Sequence, residues 1–404
     1  MILKRLTATI LVGITAGLLG MGLALLLHAL QTIAFGTHSA DFLRAVENAS
    51  PERRLIVVIS GGLLGGIGWW LLYHFGKPLV SISQAVQNNH PMPPVKTVLG
   101  GILQITSAAL GSPLGREVAP RELGALSAQW LCKKFDLTPA DTRTLIACGA
   151  GAGLAAIYNV PLAGALFALE VILRKVSLQL ACQAFFVSGL AVLVSWIGLK
   201  NQPAYHIAPM HLTVSLIVWS LIAGLLLNFL GVQFKKAAQR MKSSAPKNWR
   251  LPVFCFINFA LLGILSVYYP ALLGNGKSPA RLEFDHEINL WLTGILLILR
   301  IFFTLSTVRT GLPGGLLTPS LAIGALLSAL LGAGWNMIWP GSELNAFAII
   351  GAAVFLGAAQ SMPVTSAVMI FEFTRMDLRF ALPVALAIGI PWLFQQTLSL
   401  RKRH

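Results

Sequence analysis

Charge is what this chain has least of. Only 11% of its 404 residues are Asp, Glu, Lys or Arg, and acids are scarcer than bases, 14 against 30. Soluble domains carry about 25% charged residues, so an ordinary water-facing globule is excluded. Paired cysteines are missing too. Cys132, Cys148, Cys182 and Cys255 are scattered without a CxxC motif, which argues against a disulfide framework and a metal site. No low-complexity segment and no separate soluble regulatory domain interrupts the chain, which reads as one transmembrane domain over 1–404.

What the chain has in excess is apolar surface: 56% hydrophobic residues and a mean hydropathy of +0.75. Charge-free runs extend from Leu6 to Phe35, Leu55 to Tyr73, Thr97 to Gly115, Val176 to Leu199, Leu251 to Gly276 and Thr310 to Ser342. Each is near or above the roughly 18 to 20 residues that cross a bilayer. The first is too long for a signal-peptide core of about 7 to 15 residues and reads as a retained helix. The expected fold class is therefore all-α and integral to the membrane.

The formal charge of +16 does not point to nucleic acid, because the bases gather at the ends of apolar runs rather than in a patch interleaved with aromatics. Lys4 and Arg5 precede the first run, Arg401, Lys402 and Arg403 follow the last, and Lys235 to Arg250 is a basic loop without an acid. The positive-inside rule places these, and both termini, in the cytoplasm.

Two stretches recur. Gly111 to Leu126 reads GSPLGREVAPRELGAL and Gly311 to Leu326 reads GLPGGLLTPSLAIGAL; Gly149 to Glu170 likewise pairs with Gly351 to Glu372, aligning Pro161 with Pro363 and Glu170 with Glu372. Duplication explains this better than composition does. The loop Gly36 to Arg54 is charge-balanced, whereas its counterpart around Lys235 to Arg250 is strongly basic, so equivalent loops belong on opposite faces. That predicts an inverted-topology repeat, 1–205 and 206–404, built from broken and tilted helices around ion sites near the midplane. Short helices are expected over Leu79 to Gln87, Pro161 to Leu173 and Pro363 to Phe373, each after a Gly or Pro break.

Helix starts inside a membrane expose unpaired N–H groups at the positive end of the dipole, and several such starts converging would hold a small anion. The candidates are Gly76 to Val80, Gly115 to Ala119 and Gly315 to Pro319, although such glycines also serve helix packing. Glu117 sits two residues into one of these starts. A carboxylate there can occupy the anion site when charged and vacate it when protonated, which makes it a gate and proton carrier; the alternative is a structural ion pair with Arg116 or Arg121.

These motifs resemble those of the CLC family of chloride channels and chloride/proton antiporters. GREVAP at 115–120 is similar to the family's GREGP or GKEGP, GGLLTP at 314–319 to its GxFxP, and GKPLV at 76–80 takes the place of GSGIP; LLGNGKS at 272–278 resembles a Gly-rich loop. The resemblance covers essentially the whole chain. It implies a CLC-type fold in a bacterial-type inner membrane, a homodimer with one anion path per subunit, and bound chloride or a similar halide as the only ligand, with no cofactor and no metal. It places Glu117 on the external gating glutamate, and Gly76, Lys77, Pro78, Gly115, Arg116, Val118, Gly315, Leu316 and Leu317 around the anion.

Departures from the family pattern matter as much. Lys77 stands where a serine usually touches the anion, and its ammonium either reaches the site or snorkels to water. Ile390 stands at the inner gate, where a tyrosine is usual. The inner proton-delivering glutamate aligns with Val171; the adjacent Glu170 is a candidate inner proton path or a helix-packing residue like Glu372. Chloride/proton antiport is the favoured function, a passive chloride channel the main rival, and a fluoride exporter a further relative. An intramembrane hydrolase using Ser112 would need a paired base, and none is evident, so no enzymatic activity is expected. His28 and His74 read as packing residues, and Arg300 and Arg375 as capping or snorkelling residues.

Overall fold

The structure is a computed structural model, which describes residues 2–36, 41–76, 78–88 and 90–401, with side chains through 393. Seventeen α-helices account for about three-quarters of the described residues. In chain order they are α1 (Ile2–Phe35), α2 (Phe42–Asn48), α3 (Pro51–His74), α4 (Ile82–Gln87), α5 (Pro94–Ala109), α6 (Val118–Lys134), α7 (Pro139–Tyr158) and α8 (Pro161–Phe167). They continue with α9 (Leu178–Ser195), α10 (Val214–Ser243), α11 (Arg250–Tyr268), α12 (Lys277–Phe284), α13 (Leu290–Thr310), α14 (Leu317–Asn336), α15 (Leu344–Gln360), α16 (Pro363–Thr374) and α17 (Ala381–Arg401).

Among the described residues, α1, α3, α9, α10, α11, α13 and α14 are long and apolar enough to cross a membrane. This is a multi-pass membrane protein. The helices are not equivalent. In α14, 72% of the apolar window is buried inside the protein, against 33–44% in the other six, so α14 is an interior helix while the others show much of their surface to lipid. Beside it lies α15, and α7, packed against α6 and α9, is equally interior: Asn345 to Gly357 of α15 and Leu145 to Tyr158 of α7 are buried without interruption.

Small residues make that packing possible. A Cβ on Gly124 of α6 would strike the carbonyl oxygen of Gly149 on α7, and a Cβ on Gly324 of α14 would lie 2.7 Å from the carbonyl oxygen of Gly351 on α15. Where two helices cross at backbone contact, only glycine fits. The two crossings occupy corresponding places in the recurring stretches. Their helix ends correspond as well: α7 stops at Asn159 and α15 at Ser361, both left-handed (φ 58 and 55), and each is followed by a proline that opens the next helix. That next helix, α8 continued by a π-helical turn Ala168–Leu173 in one case and α16 in the other, ends at left-handed Arg174 or Arg375.

Two expectations shift. The short helix expected over Leu79 to Gln87 begins only at Ile82, because Ser81 and Gln84 form a reciprocal capping box that fixes its start. Arg300, expected to cap or snorkel, does not reach water. It is fully buried in α13 and donates to the carbonyls of Leu272 (3.2 Å), Gly274 (2.6 Å) and Pro113 (2.8 Å), tying the Gly-rich loop to the break before α6. Three acceptors offset the desolvation of a charge that would otherwise be very costly there.

Candidate anion site

Two chain breaks meet at the centre. The segment between α5 and α6 and the segment between α13 and α14 touch as an antiparallel pair, in which Gly115 N–H donates to Gly315 O (2.7 Å) and Gly315 N–H donates to Gly115 O (2.9 Å). Each break has turned first through a left-handed glycine, Gly111 (φ 101) or Gly311 (φ 95). Such a φ is strained for any residue with a Cβ. The bridge satisfies the backbone groups that lipid could not and sets the starts of α6 and α14 side by side.

Glu117 fills the space between them. Its side chain is 1% exposed, Oε1 accepts the Leu317 N–H at the start of α14 (2.7 Å), and Oε2 accepts the hydroxyl of Tyr158 (3.2 Å). A Cβ added to Gly115 or Gly315 would collide with this carboxylate. The neighbouring arginines are engaged elsewhere: the Arg116 guanidinium lies over the Tyr158 ring (5.3 Å to the centroid), and Arg121 Nε donates to the Glu117 carbonyl (3.0 Å). Burying a lone carboxylate costs several kcal/mol. Two hydrogen bonds to a charged acceptor, about 1.5–3 kcal/mol each, together with the α14 dipole are of the size needed to hold it there.

Of the residues named from sequence, Gly115, Glu117, Gly315 and Leu317 come together, with half-buried Arg116 and Val118 on the same turn and Leu316 as the N-cap of α14. Gly76 and Pro78 do not join them; both are exposed at the end of α3, where a Cβ on Gly76 would meet the Lys96 side chain. Lys77 lies outside the described residues. Ile390 is half-buried on α17, next to the internal Pro391. Ser112 Oγ accepts the Leu114 N–H (3.4 Å), an ordinary turn contact.

Glu170 has a different environment. Its carboxylate accepts from Val364 N–H (3.0 Å), Thr365 N–H (2.7 Å) and the Thr365 hydroxyl (2.5 Å) at the start of α16. Glu372, its counterpart, accepts from Leu162 and Ala163 N–H (2.8 Å each) at the start of α8. Each carboxylate thus caps the start of the helix that carries the other. Val171 is partly buried against the main core.

Tyr158 and Gln104 were not singled out from sequence. Gln104 of α5 accepts the Ala119 N–H (2.5 Å), satisfying one start of α6. Tyr158 ends α7 next to the Glu117 carboxylate although it is distant in sequence. Its one signal is being the single polar side chain in the Gly- and Ala-rich run 149–158.

The match to the family described as "Voltage gated chloride channel" spans residues 61–395. The chain belongs to this CLC family. Among curated CLC relatives it is 29% identical over 389 residues to the voltage-gated ClC-type chloride channel ClcB of Salmonella typhimurium, and 30% identical over 389 residues to that of Salmonella dublin, covering 92% of this chain and 91% of each relative. To ClcB of Escherichia coli it is 28% identical over 387 residues. The solved structure of a slow cyanobacterial Cl−/H+ antiporter superposes with a TM-score of 0.83 at 21% identity, covering 98% of this chain and 95% of that one. A CLC-type fluoride/proton antiporter gives 0.72 at 23%, covering 95% and 94%. At those identities the structural likeness shows the CLC fold.

Proposed function

We propose that this protein exchanges chloride, or a similar halide, for protons, with Glu117 as both gate and proton carrier. The observation that carries the reading is the Glu117 carboxylate bonded to the free N–H of Leu317 at the head of an interior helix. A group of that geometry is itself an anion in an anion site. Protonation removes its charge and weakens both of its hydrogen bonds, so it yields the Leu317 amide to a halide. Gly115, Arg116, Val118, Gly315 and Leu316 form the wall around that position. The antiparallel Gly115–Gly315 pair supports opposite orientation of the halves 1–205 and 206–404. Likeness to the family supports a homodimer with both termini in the cytoplasm.

A passive chloride channel is the second reading, favoured by one observation. Glu170 is committed to the α16 start and Val171 cannot carry a proton, which leaves no assigned donor on the inner side. Reconstitution in liposomes separates the two. Under a chloride gradient the antiporter drives protons uphill; chloride flux without proton movement rejects the exchange reading. Running the same assay with fluoride identifies the halide.

A further inference from the structure

We propose that the Tyr158 hydroxyl is the side-chain donor of the anion path, holding Glu117 when the path is shut and turning to the halide when Glu117 leaves. This deepens, and rests on, the transport reading above. The hydroxyl lies between two oxygens, Glu117 Oε2 at 3.2 Å and Thr318 Oγ1 at 3.0 Å, with the phenol buried to 8% exposure. A phenol has one proton to give. A charged carboxylate can only accept, so that proton points at Glu117 and the Thr318 hydroxyl donates to Tyr158. Asn275 Nδ2 stands 3.5 Å behind Thr318 and donates in turn. The chain of donors therefore has a direction, and it ends on the anion position.

When Glu117 swings away, the Leu317 N–H is left without an acceptor in a buried site, and the Tyr158 O–H keeps only Thr318 Oγ1, which would then have to give up its own donation to Tyr158. Unpaired buried donors are costly, and one halide placed where the carboxylate was satisfies both. The ring is held for this task. Phe373 packs edge-on at 5.6 Å, the Arg116 guanidinium covers the ring face, and Asn159 fixes the backbone in the next position.

Among the described residues, the charged and titratable groups around the carboxylate are Arg116 and Arg121 from its own turn and helix and Tyr158 from α7, with His28 of α1 in the field of Arg116. Tyr205 lies behind Phe373 (5.8 Å), with Lys277 of α12 over the Tyr205 ring (6.0 Å). Of these, only Tyr158 donates to the carboxylate. Removing its hydroxyl deprives the charged form of a hydrogen bond, so the protonated, open form becomes easier to reach.

Two measurements test this. Chloride binding is followed by calorimetry on detergent-solubilised Glu117→Gln, alone and combined with Tyr158→Phe or Thr318→Val, which keep the packing and remove a hydroxyl. Tyr158→Phe is expected to weaken binding about tenfold, and Thr318→Val by a smaller factor, in line with loss of one hydrogen bond to a charged ligand. In liposomes, Tyr158→Phe alone is expected to move the pH midpoint of chloride flux to higher pH, a change that loosened packing would not give. Binding within twofold of the parent together with an unmoved pH midpoint overturns the role of Tyr158 while leaving transport intact. Absence of any halide flux from the unsubstituted protein overturns the transport reading itself, and this one with it.

Discussion

The breaks at 111–117 and 311–317 follow one backbone plan: a left-handed glycine, a proline two residues on, a glycine in the antiparallel bridge, then a helix start. They differ in what they place on it. The second break offers the Leu317 amide, with the Thr318 hydroxyl next to it but no charged side chain. The first supplies the carboxylate that occupies that amide. On the reading proposed above, the Leu317 amide and the Tyr158 hydroxyl make up the anion site, and Glu117 gates it. The second pair of recurring elements shows the opposite outcome. Glu170 and Glu372 cap each other's helices in the same way, and each lines a cavity beside the helix start it caps, about 350 Å³ for Glu170 and about 670 Å³ for Glu372. Matching residues there mark a matching structural task, whereas Glu117 has no counterpart in the second break.

The largest effect expected from breaking this comparison comes from Glu117→Gln. Proton coupling should vanish, while chloride flux continues and loses its pH dependence; retained uphill proton movement in liposomes would remove Glu117 from the mechanism. Next is Gly315→Ala, which puts a methyl group where the carboxylate now lies. The gate should be forced from the Leu317 amide, so flux at alkaline pH rises toward that of Glu117→Gln, as read from a pH series.

Smaller effects sharpen the symmetric pair. Glu170→Gln and Glu372→Gln should each cost about 1–2 kcal/mol through weakened helix-start hydrogen bonds, measured as comparable drops in thermal stability in detergent. A selective loss of proton transport in Glu170→Gln alone would give that residue the relay role its bonding argues against.

The smallest effect concerns the starts of α7 and α15, which are fixed differently. Thr138 caps α7 with its hydroxyl, whereas Glu343 at the head of α15 is held by the His211 ring (2.7 Å) and backbone N–H (3.2 Å) from a loop. Burial pushes the Glu343 carboxyl upward, but hydrogen bonds from the His211 ring, from the Glu343 backbone and from the His211 backbone together outweigh it and hold the carboxyl below the usual value. A carboxyl lowered on folding stabilises the protein above its unfolded value and loses that contribution as pH falls through the folded one. His211→Ala should therefore reduce stability near neutral pH by under about 0.5 kcal/mol, given the exposure of the pair, with the difference disappearing on acidification below the ordinary carboxylate range. An equal difference at all pH values would remove the electrostatic account.

Much of the site was legible because its signals are local. Gly and Pro within apolar runs, and a carboxylate where charge is costly, can be read without knowing any partner. Tyr158 and Gln104 carried no such mark. A tyrosine at a helix end and a glutamine in a helix are ordinary residues until packing brings α7 and α5 against the α6 start. Gly76 and Pro78 show the converse: a Gly-Pro break alone does not decide whether it faces the centre or the exterior, and here it is exposed.

Composition and periodicity determined the membrane and the helices and singled out the one carboxylate in the breaks 111–117 and 311–317, since each depends on free energies of transfer or backbone conformation that a residue carries with it. Which N–H the charge would meet, which hydroxyl would share it, and which carboxylates would serve as caps were decided only by tertiary structure. Those choices depend on contacts between segments far apart in sequence, and a hydrogen bond has no energy until both of its partners are placed.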